Sequence, residues 1–251
     1  MGTVVFIGAG PGAADLITLR GARALARADV VLFDALTDPA LRELAPQARW
    51  VNVGKRGFSD STGQDTINAL LVKYAREAQI VVRLKGGDPS VFGRLEEELD
   101  ALADAGIECD VVPGITAALA AAAATRRPLT RRGNGRSVSL TTAMTRSGDM
   151  HATRSADTEV FYMAGKQLAA LSRRLVEAGW PTGTPVLVVS RAGWPDQLQS
   201  DHTVATLPRA SLLHAGRPTV VTVGAGARPL RGAASLEISH THPARVETLN
   251  P

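Results

Sequence analysis

The sequence predicts an α/β protein of two domains: a parallel sheet with helices on both faces, followed by a domain built on a mixed sheet. Three observations carry this. Up to Val112, short β-branched runs alternate with stretches of helical spacing, which is the pattern of a parallel sheet. Glycine- and aspartate-bearing loops follow those runs, and parallel topology gathers such loops on one sheet edge. Beyond Thr125, strand-like runs succeed one another with fewer helices between them.

The first strand is Val4 to Ile7, followed by Gly8-Ala9-Gly10-Pro11-Gly12. Asp15 is the predicted cap of a helix whose inner face carries Leu16, Leu19, Ala22 and Leu25. Val30 to Phe33 forms a second strand ending at Asp34. Pro39 to Leu44 reads as a short helix. Trp50 to Val53 is a third strand, closed by Gly54-Lys55-Arg56 and a polar loop to Gly63. Ile67, Leu70, Leu71, Tyr74 and Ala78 mark the next helix. Ile80 to Leu84 is a fourth strand, and it stops at Lys85-Gly86-Gly87-Asp88-Pro89. Leu95 to Ala105 reads as a helix with Leu95, Leu99 and Leu102 inward and Glu96, Glu97 and Glu98 favouring its N-terminus. Val111-Val112 is a fifth strand, closed by Pro113-Gly114.

An alanine-rich helix, Thr116 to Thr125, leads through a basic segment to the second half. Strands are predicted there at 137–141, 159–163, 186–190, 202–206 and 219–223, with a helix from Gln167 to Ala178. The expected domains are 1–114 and 115–228, with a disordered tail at 229–251.

Composition narrows the function. The net charge of +4 favours an anionic partner, while 4% aromatics supply little stacking for nucleic-acid bases, so none is expected. Cys109 is the only cysteine, which excludes an internal disulfide and a thiolate metal cage. The five histidines show no metal-binding spacing, so no metal is expected. No secretory leader is visible, and the apolar stretch from Ile115 to Ala124 is too short to span a bilayer. The expectation is a cytoplasmic protein with no membrane partner.

Two glycine loops compete as binding sites. Gly8 to Gly12 resembles a dinucleotide fingerprint, with Ala13 at its last glycine position and Asp34 placed as the ribose-binding acid. This keeps a NAD-dependent oxidoreductase open, although Pro11 removes an N–H that a pyrophosphate would use. Gly86 and Gly87 end a strand and let backbone approach a ligand closely. Asp34 and Lys55, at neighbouring strand ends, suit either a base and acid or a structural ion pair. The arginines at 126, 127, 131, 132 and 136 suit either a solvated face or several carboxylates.

Eight words in order resemble the tetrapyrrole methyltransferases that use S-adenosylmethionine, and among them the branch acting on uroporphyrinogen-III. They are VVFIGAGPG (Val4–Gly12), ITLRGARALARADVVLFD (Ile17–Asp34), VGKR (Val53–Arg56), INALL (Ile67–Leu71), VVRLKGGDPSVFGR (Val81–Arg94), VVPGITAALA (Val111–Ala120), PLTRRG (Pro128–Gly133) and FYMAG (Phe161–Gly165). The resemblance implies the two-domain tetrapyrrole methylase fold, a cofactor cleft between the domains, and a homodimer. It implies that Pro11, Gly86, Gly87, Asp88, Val91, Thr116, Ala117, Met163 and Ala192 contact S-adenosylmethionine, with S-adenosylhomocysteine as product. Asp34 and Lys55 match the proposed proton acceptor and donor. Arg56 and Arg132 match positions facing an anionic tetrapyrrole. The implied reaction methylates carbons two and seven to give precorrin-2, for sirohaem or cobalamin synthesis.

The substrate words depart more than the cofactor words. Ala35 stands where the family has a substrate-contacting arginine, Leu95 replaces a glycine, Arg131 replaces a histidine, and Thr142-Ala143-Met144 replaces Thr-Gly-His. Another tetrapyrrole substrate, or a non-catalytic paralogue that binds the cofactor, therefore stays open.

Overall fold

In the computed structural model, which describes residues 2–54, 63–143 and 151–230, the chain divides into two compact units, Met1–Ala117 and Ala118–Pro251. The boundary expected after Gly114 falls just before that division. The expected tail lies outside the described residues from position 231 onward.

The first unit is a parallel sheet of β1 (Thr3–Gly8), β2 (Val30–Phe33), β3 (Arg49–Asn52), β4 (Ile80–Lys85) and β5 (Cys109–Val112), in the order β3-β2-β4-β1-β5. Helices cover both faces, so the central strands are apolar on both sides. On one face Val4, Phe6, Leu32 and Val81 pack with α2 (Gln64–Glu77) and α3 (Leu95–Asp104). On the other, Ile7, Val31, Val82 and Leu84 pack with Leu25 of α1 (Leu19–Leu25) and with Leu41. Fully burying one such side chain stabilises the fold by about 1.5–3 kcal/mol. Because every strand runs the same way, the loops after β1, β2, β3, β4 and β5 all leave from one edge.

One local expectation is corrected here. Asp15 does not cap α1. Residues Ala14–Leu16 form a separate 3-10 turn, and the helix starts at Leu19, where Thr18 Oγ1 accepts the Gly21 N–H at 3.1 Å. The helical frame therefore buries Gly21 and Leu25, and Leu19 is left exposed rather than facing inward. The short helix expected over Pro39–Leu44 is present as a 3-10 helix, with Asp38 accepting the Ala40 N–H.

The second unit holds a mixed sheet of β6 (Val138–Thr142), β7 (Thr158–Tyr162), β8 (Pro185–Ser190), β9 (Leu198–Thr203) and β10 (Thr219–Gly224), in the order β6-β7-β10-β8-β9. Only β6 and β7 pair in parallel. The alanine-rich helix is α4 (Ala117–Ala124), and α5 (Leu168–Glu177) packs Leu168, Leu171 and Leu175 against Phe161, Val188 and Val221. The strand expected at 202–206 lies earlier, at Leu198–Thr203. Its Gln-Ser-Asp residues read as loop, but β9 is an edge strand and tolerates them. Among the described residues, no helix is long and apolar enough to cross a membrane.

Candidate active site

Three loops at the sheet edge of the first unit are fastened to one another by backbone bonds and by the Asp88 carboxylate. Ala9 donates its N–H to Lys85 O at 2.8 Å. Gly10 and Gly87 then exchange two bonds, Gly10 N–H to Gly87 O at 3.2 Å and Gly87 N–H to Gly10 O at 2.7 Å. The loop after β5 joins through Asp88, whose Oδ2 accepts the Gly114 N–H and whose Oδ1 accepts the Ser90 N–H, each at 2.8 Å. The approach is so close that a Cβ on Gly114 would lie 2.3 Å from Gly87 O.

This geometry removes the dinucleotide reading of Gly8 to Gly12. A pyrophosphate site needs free N–H groups at a helix N-terminus. Here the Ala9 and Gly10 N–H groups are taken, Pro11 has none, and α1 starts only at Leu19. Gly86 is different. Among the described residues neither its N–H nor its C=O has a hydrogen-bond partner, and the residue is only half-buried. The Gly86–Val91 loop can therefore offer backbone donors and acceptors to an amino-acid or ribose group, which is what S-adenosylmethionine presents. Asp88 supports that loop from behind, since both of its oxygens already bind backbone.

The loop after β2 lies alongside. Asp34 N–H bonds Leu84 O at 3.2 Å, and a Cβ on Gly86 would sit 3.3 Å from Leu36 Cβ. Thr116 borders Gly87 from the far side, its Cα 3.8 Å from where a Gly87 Cβ would stand. Asp34, Gly86, Gly87, Asp88, Val91 and Thr116 thus share one edge; Ala117 follows Thr116 in the chain, and Pro11 follows Gly10, which is bonded to Gly87.

Asp34 is the outer member of a buried chain of charges that reading the sequence did not find. Arg83 Nη2 donates to Asp34 Oδ1 at 2.7 Å, and Arg83 Nε donates to Glu98 Oε1 at 3.1 Å. Glu98 Oε2 receives Lys85 Nζ at 2.6 Å. Arg83 and Lys85 are two residues apart on β4, so both point to the face covered by α3. Glu98 stands in the first turn of α3, as expected, but it is fully buried there. Two signals were available: charges at alternate positions of an apolar strand, and an acid on the Leu95–Leu102 face of a helix. Burial, then the Arg83 charge, pushes Lys85 down from the usual lysine range, against the pull of Glu98. Beyond this chain, Arg94 and Glu97 form an exposed bidentate pair at the start of α3.

In the second unit, β7 and β8 both run antiparallel to β10, so their C-terminal ends share an edge. Met163 follows β7 with φ 60° and is exposed. Ala192 follows β8 and is buried behind Arg191, whose φ is 51°. The arginines do not form one basic surface. Arg127 is buried, paired with Asp201 and bonded to Ala227 O. Arg131 donates to Arg228 O, while Arg126, Arg132 and Arg136 are exposed. Lys55 and Arg56 lie outside the described residues. Among those residues no group of three or more His, Cys, Asp or Glu side chains is placed to hold a metal ion.

Residues 3–208 match the model of the tetrapyrrole (corrin/porphyrin) methylases. The chain belongs to that family. This tetrapyrrole methylase is 42% identical over 228 residues to the uroporphyrinogen-III C-methyltransferase of Pseudomonas aeruginosa, covering 89% of the present chain and 93% of that protein. It is 44% identical over 202 residues to the siroheme synthase of Hahella chejuensis, covering 78% of its own length but only 43% of that protein. Its fold superposes with a TM-score of 0.78 on the Thermus thermophilus uroporphyrin-III C-methyl transferase complexed with S-adenosyl homocysteine. That pair is 33% identical, over 89% of this chain and 97% of the other.

Proposed function

We propose that the chain transfers methyl groups from S-adenosylmethionine to carbons two and seven of uroporphyrinogen-III, giving precorrin-2. The observation that carries this is that Gly86, whose backbone N–H and C=O have no hydrogen-bond partner among the described residues, is set beside the part-exposed carboxylate of Asp34. The near full-length similarity to a uroporphyrinogen-III C-methyltransferase supports it.

The chemistry follows from the residues. S-adenosylmethionine supplies an electrophilic methyl: the ring carbon forms the new C–C bond, and the S–CH₃ electron pair leaves with sulfur. Gly86, Gly87, Val91, Thr116 and Ala117 hold the donor, with Pro11 bordering them and Asp88 bracing the loop. Met163 and Ala192 are the further residues assigned to the donor. The ring becomes cationic and must lose a proton, which Asp34 accepts on Oδ2; among the described residues that oxygen has no hydrogen-bond partner. Holding nucleophile and methyl in line supplies much of the rate. Lys55 serves as proton donor. Arg56 and the exposed Arg132 are the residues assigned to binding the carboxylates of the substrate.

The reading extends to a cytoplasmic homodimer, which light scattering on the purified chain tests. Calorimetry with S-adenosylhomocysteine and with NADH tests the cofactor. Binding of the homocysteine nucleoside and no binding of NADH is expected; the reverse would sink the proposal.

A further inference from the structure

The buried charges behind Asp34 are arranged as a mount. The Arg83 guanidinium spends its donors in several directions: Nε on Glu98, Nη1 on Leu84 O at 3.3 Å and Leu32 O at 3.5 Å, and Nη2 on Asp34. A planar fork held at three corners has one orientation. Glu98 is fixed in turn, with Gln64 Nε2 at 3.3 Å on Oε1 beside Arg83, and Lys85 on Oε2. Side-chain exposure is 3% for Arg83, 0% for Glu98 and 3% for Lys85, then 29% for Asp34. The chain of charges therefore opens to its surroundings only at the carboxylate.

A buried ionic network is a poor way to gain stability, because desolvation offsets the attraction, and apolar residues of the same volume often serve as well. What it does supply is direction. We infer that Arg83 is a positioning residue for proton removal: it holds Oδ1 of Asp34 so that Oδ2 is aimed at the ring, and Glu98 and Lys85 hold Arg83. The inference rests on the reading of Asp34 as the base.

A double-mutant cycle in the full chain tests it, using Arg83→Lys, Asp34→Asn and the pair together. Lysine keeps the charge but lacks the fork that reaches both carboxylates. Arg83→Lys is expected to lower kcat by about a hundredfold, the cost of misplacing a reacting group. Its affinity for S-adenosylhomocysteine should stay within about twofold of wild type, since the backbone cradle is untouched. If Arg83 acts through Asp34, the double variant is no slower than Asp34→Asn alone. Losses that multiply would overturn the inference, as would a wild-type kcat in Arg83→Lys. Should Arg83→Lys fail to bind S-adenosylhomocysteine, the same cycle run with Glu98→Gln decides by the same criterion. The base reading fails separately: it falls if Asp34→Asn turns over normally, whereas an inactive Asp34→Asn beside a fully active Arg83→Lys removes only the role of Arg83.

Discussion

Gly10 and Gly87 lie 77 positions apart in the chain and are joined by a reciprocal pair of backbone hydrogen bonds. The bridge makes the two conspicuous glycine loops into one structure with divided labour. The Gly8 to Gly12 loop spends its backbone on its neighbour and becomes a wall. The Gly86 loop, propped by that wall and by Asp88, keeps a free N–H and C=O among the described residues. A fingerprint that resembles a nucleotide cradle thus acts as support for a second loop that can be one.

Substituting the tightest backbone approach should break the cradle. A Cβ at Gly114 would meet Gly87 O at 2.3 Å and Gly8 Cα at 2.7 Å, and backbone atoms cannot step aside cheaply. Gly114→Ala is expected to cost about 1–3 kcal/mol of stability and to weaken S-adenosylhomocysteine binding at least tenfold. Gly183→Ala, where nothing lies within 4 Å, should change stability by no more than about 0.5 kcal/mol. Urea unfolding and calorimetry on both variants check this.

Acid should weaken the second unit through His214. This residue is fully buried, with Nδ1 at 2.9 Å from Ser190 Oγ and Nε2 at 2.8 Å from Ser200 Oγ. Arg217 also donates to Ser190 Oγ, at 3.0 Å. Burial, then the nearby His202 and Arg217 charges, lowers His214 to about 4 from 6.5. The unfolded chain therefore takes a proton first as pH falls. Stability is full above about pH 6.5, declines between 6.5 and 4, and levels off below, for a total loss of about 3 kcal/mol from this group. In His214→Gln this part of the slope should vanish, which urea midpoints at pH 7 and pH 4.5 measure against wild type.

Asp34→Asn should separate binding from chemistry. The amide retains an acceptor for Arg83 but cannot take a proton at neutral pH. Turnover is expected to fall by about 10²–10⁴-fold, with S-adenosylhomocysteine affinity unchanged within about twofold. Steady-state rates and calorimetry on the same preparation decide it. Unchanged turnover would remove Asp34 as the base.

The sheet and its working edge were legible because parallel strands buried on both faces read as apolar runs, and because Gly86-Gly87-Asp88-Pro89 interrupts one of them abruptly. The cap of α1 was misread since Asp15 and Thr18 both fit, and only the intervening 3-10 turn chooses between them. Glu98 reads with Glu96 and Glu97 as an acid suited to the helix N-terminus; its burial depends on two cations from a different element. Arg127 was counted with its neighbours, although its partner Asp201 lies 74 residues away and no local pattern links them. The Glu98 and Arg127 misses are charges whose partners lie on other elements.

The central claim is the transfer of methyl groups to uroporphyrinogen-III. An anaerobic incubation of the full chain with that substrate and methyl-labelled S-adenosylmethionine tests it most directly. The expected result is a product carrying two labelled methyl groups, formed together with S-adenosylhomocysteine. A chain that binds S-adenosylhomocysteine yet leaves uroporphyrinogen-III unlabelled would contradict the account.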